Sequence, residues 1–214
     1  MKKIFFGITV ITYSLISAQQ SGSSIKFGAK AGANLSTILL DGDKVGDSRM
    51  GIYIGGFVNI PVGRVLSIQP EIFYIQTGSK NLDSYTFTRN GGRVKVNNLK
   101  FNLDYISVPI MFQFNITRGF YLEVGPQLNF LINNKIDGDV KMNGLTQGIS
   151  ANNKLKTSGF EFGYALGTGY YITPNIGINV RYSFSATLDH NATDNIYETY
   201  KATSLFQVGL AYKF

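Results

Sequence analysis

The sequence predicts an all-β protein: a closed, antiparallel, up-and-down transmembrane β-barrel of about eight strands, with long loops on one rim and short turns on the other. Three observations predict it. The chain opens like an exported protein, and no later apolar run is long enough for a spanning helix. The remainder alternates apolar and polar residues with period two. The connections between the alternating segments are short and long by turns.

The opening is Met1-Lys2-Lys3, then an apolar run from Ile4 to Ile16, then the small residues Ser17-Ala18. That order of charge, apolarity and small residues is that of a secretory signal peptide. Residues 1–18 are therefore expected to be removed, leaving 19–214 as one outer-membrane β-barrel domain. The whole chain lacks Cys, which excludes both a lipid anchor after the signal and a disulfide framework. Without Lys2 and Lys3, 18 of the 20 basic residues remain against 13 acidic ones, a net charge of +5. In an exported chain that balance fits anionic lipid better than nucleic acid, and no nucleic-acid partner is expected. The 16 Phe, 13 Tyr and 24 Gly against 5 Pro favour many short strands. With no spanning helix available, a closed sheet is the remaining way to satisfy every backbone polar group in lipid.

Strands are expected at roughly 25–35, 50–60, 65–76, 101–114, 120–131, 158–171, 176–187 and 203–214. The seventh is plainest: Ile176, Ile178, Val180, Tyr182 and Phe184 alternate with Gly177, Asn179, Arg181 and Ser183. Lys26, Lys30, Glu71, Glu123, Glu161, Arg181 and Lys213 lie on the parity opposite the apolar set, and nearly all strand glycines share it. In a narrow membrane barrel that parity is the lumen, where eight strands leave room only for side chains and glycine relieves crowding. Pro61-Val62-Gly63-Arg64, 115–119 and 172–175 read as short periplasmic turns, and the longer polar segments between them as external loops. Phe112, Phe114, Phe120, Tyr121, Tyr170, Tyr171, Tyr182, Tyr212 and Phe214 suggest a girdle near the periplasmic rim. Pro70, Pro109 and Pro126 fall inside strands, and bulges near the rims are the expected remedy.

The last strand sets Phe206, Val208, Leu210, Tyr212 and Phe214 on one parity. That resembles the terminal strand by which outer-membrane assembly machinery recognises its substrates. Phe27-Gly28-Ala29-Lys30-Ala31-Gly32-Ala33-Asn34, Ile68-Gln69-Pro70-Glu71-Ile72-Phe73-Tyr74 with Gly78, Tyr105-Ile106-Ser107-Val108-Pro109, Gly125-Pro126-Gln127 and Gly167-Thr168-Gly169-Tyr170 resemble, in order, segments of the PorT-like outer-membrane β-barrel family. The resemblance covers most of the chain after residue 18. It implies the fold and the outer membrane of a Gram-negative envelope. The family's founder is associated with protein secretion, and the resemblance brings no catalytic residue.

No enzyme, cofactor or metal site is expected. The single His, His190, lies in 188–193, where Ala192 stands in place of the Ser of a His-x-Ser hydrolase pattern. Asp41-Gly42-Asp43 with Asp47 lacks the spacing and closing Glu of an EF-hand. The expected site is a polar lumen cluster of Glu71, Glu123, Glu161 and Arg181, with Glu161 on the adjacent sixth strand as the partner of Arg181. The second external segment carries Lys80, Arg89, Arg93, Lys95 and Lys100 against Asp83 and Asp104, and suits anionic lipopolysaccharide or a protein partner. The leading expectation is a non-enzymatic barrel that presents loops or assists assembly or secretion. A narrow solute pore, and a lipid-modifying enzyme using His190, are the alternatives.

Overall fold

The computed structural model describes residues 25–40, 42–82, 85–89, 92–142, 145–152, 159–187 and 201–214. Eight long antiparallel strands close on themselves: β1 (Lys26–Leu40), β3 (Asp47–Pro61), β4 (Leu66–Leu82), β6 (Gly92–Asn115), β7 (Phe120–Met142), β9 (Phe160–Tyr171), β10 (Ile176–Ala186) and β11 (Lys201–Lys213). Closure is made by β1 and β11, paired from Gly28 opposite Lys213 to Leu40 opposite Lys201. Three further strands, β2 (Asp43–Lys44), β5 (Tyr85–Arg89) and β8 (Leu145–Asn152), attach to β1, β6 and β7 at the external end.

The polarity is inside out relative to a water-soluble barrel. On β10, Ile176, Ile178, Val180 and Tyr182 are exposed, whereas Asn179, Arg181, Ser183 and Ser185 are buried. The same holds on β11, where Phe206, Val208, Leu210, Tyr212 and Phe214 face outward and Gln207 is buried. An apolar wall of this kind is stable only against hydrocarbon.

The lumen is less uniformly small and polar than the alternation suggests. Tyr53, Phe57, Phe73, Tyr105 and Tyr121 also point inward. Four of these rings lie directly across the ladder from a glycine: Phe57 from Gly28, Tyr53 from Gly32, Phe73 from Gly55 and Tyr121 from Gly169. At each of these glycines an added Cβ would fall within 3 Å of the ring opposite. Glycine on the lumen parity is therefore the seat of an aromatic on the neighbouring strand. The aromatic girdle loses two members by the same geometry, because Tyr121 and the hydroxyl of Tyr171 are buried in the lumen. Tyr182 faces lipid but pairs with Phe206 and Leu166, well above the periplasmic rim.

The prolines do not sit at bulges. Between β4 and β6 the register is the same before and after Pro70 and Pro109, and Pro126 pairs with Tyr164 in an unbroken β7–β9 ladder. The register shifts lie elsewhere, at the external ends of β3, β4, β6 and β7. A missing N–H therefore costs a ladder bond locally without displacing a strand.

The segments read as long loops at 77–100 and 132–157 are partly strand. β6 and β7 run on past the barrel, and with β5 and β8 they form a four-stranded sheet in the order β5-β6-β7-β8. Two bulges shift the register. Asp104 pairs with Asn133 and Tyr105 with Leu131, so Ile132 is an extra residue in β7. Below it Phe130 and Ile132 face out; above it Asn134 is buried, and the exposed Lys135 pairs with Asp137 at 2.9 Å. Asn133 donates to Asp104 at 3.0 Å and Asn102 to Asp137 at 2.8 Å. A second shift between Asn97 and Lys100 then sets Val94 opposite Met142, Val96 opposite Val140 and Lys95 opposite Lys141 in register. Where the wall leaves hydrocarbon, its outer face becomes polar.

Candidate functional site

The barrel interior is filled in layers. Nearest the outside, Val45 tucks under the first connection and packs with Phe101 and Leu131 on Ile38, Leu103 and Tyr105. The connection is fastened by Val45 N–H donating to Ile38 at 2.9 Å and by the Ser79 hydroxyl donating to the carbonyls of Val45 and Asp47. Gly78, at φ +144°, lets β4 pass so close to β6 that a Cβ there would collide with the Phe101 carbonyl. This is a physical reason for the glycine that follows the Ile68–Tyr74 segment.

The next layer holds Glu161. Its carboxylate accepts from the Tyr105 hydroxyl at 2.6 Å and from the Ser185 hydroxyl at 2.8 Å. Beside it lies a cavity of about 10 Å³, room for one water, lined by Thr77, Gln127, Ser183 and Thr203 among others.

The centre is a charged tetrad. Arg181 donates from Nη1 to Glu71 at 2.5 Å and from Nε and Nη2 to Glu123 at 2.8 and 2.5 Å. Lys30 reaches Glu71 at 2.6 Å and Glu123 at 3.7 Å. All four side chains are at most 4% exposed. Two cations thus meet two carboxylates, and amides occupy the remaining acceptor positions. Gln69 donates to Glu71 at 2.7 Å, Gln113 to Glu123 at 2.9 Å, and Asn59 to both Gln69 and Gln113. The rings of Phe57 and Phe73 lie near Lys30 and Arg181. At the periplasmic end Tyr121 and Tyr171 pack 5.8 Å apart, with Lys213 Nζ 3.8 Å from the Tyr171 ring.

Of the four residues expected in one cluster, three meet, and the fourth does not. Glu161 is not the partner of Arg181. In the β9–β10 ladder Arg181 lies opposite Gly167, six residues along from Glu161, which is about 20 Å of strand. Glu123 lies opposite the same Gly167 from the other side. The glycine leaves the gap across which Arg181 and Glu123 touch, since a Cβ there would be 3.1 Å from Glu123 Oε1 and 2.7 Å from the Val180 carbonyl. Gly167→Val is accordingly expected to destabilise the folded barrel by about 1–3 kcal/mol through overpacking. Chemical denaturation in detergent checks it, and an unchanged midpoint would sink this account of the glycine. Lys30, on the lumen parity but outside the expected cluster, completes the tetrad; only the register of β1 between β11 and β3 shows that it reaches Glu71.

His190 and Asp41 lie outside the described residues. Asp43 and Asp47 fall in β2 and at the start of β3, beyond the lumen.

Comparison with solved structures agrees with the architecture. A major outer membrane protein from Thermus thermophilus superposes with TM-score 0.51 at 15% identity, over 90% of this chain and 100% of that one. Ail, the attachment invasion locus protein of Yersinia pestis, does so with TM-score 0.50 at 15% identity and the same coverage. At that identity the likeness is one of fold. No curated protein matches the sequence. The family described as outer membrane protein beta-barrel domain matches residues 17–187, which is most of the chain. The chain is a member of that family, an eight-stranded barrel of the outer membrane.

Proposed function

We propose that the protein is a non-conducting, non-enzymatic barrel that holds its external β-sheet and connections out from the outer membrane for a partner. The observation that carries this reading is the buried tetrad of Lys30, Glu71, Glu123 and Arg181 across the lumen. A solute pore needs such charges separated and wet, whereas here they are mutually bonded and stacked between an apolar layer and an aromatic one. The four-stranded extension supports a presenting role, because its register sets Lys95 opposite Lys141. Like charges opposite one another favour an anionic counterpart, such as lipopolysaccharide or an acidic protein. A secretion or assembly accessory, as the PorT-like resemblance implies, is the form of this role we favour. The outward apolar row of β11, Phe206 to Phe214, is the strand we assign to recognition by the assembly machinery.

The test of the closed lumen is electrical. Purified protein in planar bilayers is expected to give no discrete conductance steps. Reproducible unitary steps that change when Glu71 and Glu123 are made Gln would move the function to transport.

A further inference from the structure

The side chains of the rim carrying the three short turns are charged with one sign only. Among its described residues, 25–28, 59–67, 113–121, 169–177 and 211–214, there are Lys26, Arg64, Arg118 and Lys213 and no Asp or Glu. The turns are also built alike. The N–H of Val62 donates to the Leu66 carbonyl, that of Ile116 to Phe120 and that of Ile172 to Ile176, at 2.9 to 3.0 Å. Thr117 and Thr173 hold the last two turns from inside, each accepting from two backbone N–H groups. At the same position each turn displays an aliphatic side chain that is more than half exposed: Val62 at 52%, Ile116 at 59% and Ile172 at 63%. In two of the three an exposed arginine follows two residues later, Arg64 and Arg118.

Such a surface has one physical solution that uses both halves. The aliphatic positions continue the lipid-facing wall without a break, through Val65, Phe114 and Tyr170, so the medium that covers the wall also covers them. A guanidinium two residues further on then stands at the level of the lipid phosphates, which its planar fork fits. We propose that this rim is a collar for anionic phospholipid headgroups of the periplasmic leaflet, with Arg64 and Arg118 as the principal phosphate ligands and Lys26 adding charge. It fixes the depth of the barrel from below, independently of whether the lumen conducts.

The experiment uses the full folded barrel in detergent micelles doped with phosphatidylglycerol or phosphatidylcholine, read by native mass spectrometry. Wild-type protein is expected to retain phosphatidylglycerol preferentially. Arg64→Gln with Arg118→Gln should weaken that retention roughly tenfold or more, since each basic residue near an anionic surface counts separately. Both positions are exposed turn residues, and the mobility shift between boiled and unboiled samples verifies that the variant still closes. Lys44→Gln, in β2 at the opposite end, should retain lipid as wild type does. Equal retention of the two lipids by wild type, unchanged retention in the arginine variant, or an equal loss in Lys44→Gln would each overturn the collar. The first of these would leave an acidic periplasmic protein as the occupant.

Discussion

Replacing Arg181 with Met should lower the stability of the folded barrel by about 3–5 kcal/mol. The substitution keeps the volume of the stem and removes the group that Glu71 and Glu123 share at 2.5 to 3.0 Å. Two carboxylates then face one another in a dry interior with only Lys30 between them. Removing one partner of a buried network leaves an uncompensated charge, whose cost exceeds the net worth of the pair itself. Replacing the whole tetrad gives the converse. Lys30→Met, Glu71→Gln, Glu123→Gln and Arg181→Met together should recover most of the loss, because no unpaired charge remains. Denaturant titrations followed by far-ultraviolet circular dichroism measure both; the chain has no Trp, so tryptophan fluorescence does not serve. A single variant within about 1 kcal/mol of wild type would mean that water reaches the tetrad and that the lumen is not dry. A combined variant no better than the single one would assign the loss to shape rather than to charge.

The alternation made the two faces readable because the side-chain period of a strand is two whatever it pairs with. Parity alone placed Glu71, Glu123 and Arg181 in the lumen. Height along the barrel axis is a different quantity. It depends on the stagger of each ladder, which no single strand carries, and so Glu161 was grouped with Arg181 although the register sets them six residues apart. Lys30 was visible as a lumen residue, and its place in the tetrad again follows from the ladders of β1. The inward rings were hidden for a related reason. Tyr53 and Phe73 look like members of an apolar wall until Gly32 and Gly55 are seen opposite them, some twenty residues away in the chain.

The external sheet is hidden in the sequence because one of its two alternating sets is charged. Arg93-Val94-Lys95-Val96-Asn97 is as regular as any barrel strand, but a charged set reads as loop when hydrocarbon is assumed outside. The bulges at Ile132 and between Asn97 and Lys100 shift the register twice within one continuous ribbon. Asp104, which stands on the outward parity of β6, falls at that same level and bonds Asn133. It marks where the lipid-facing part of β6 stops, and the wall's apolar requirement stops with it.

That boundary makes the cost of an outward charge depend on depth, which β10 can test along a single face. Val180 and Ile176 both face lipid, at 38% and 46% exposure. Ile176 pairs with Tyr212 beside the periplasmic turns, while Val180 pairs with Val208 and Thr168, about 13 Å further along the strand. Val180→Arg therefore puts a guanidinium near the middle of the hydrocarbon and should cost about 2–4 kcal/mol, whereas Ile176→Arg at the rim should cost about 0–1 kcal/mol. At the rim the long side chain reaches the headgroups, as Arg64 and Arg118 are placed to do; at Val180 it must bend toward either surface or thin the bilayer. Folding into vesicles of defined thickness, read by the unboiled gel shift against denaturant, gives both values. Lengthening the acyl chains should widen the difference between them. Equal costs for the two, or no dependence on bilayer thickness, would show that β10 does not cross hydrocarbon at Val180.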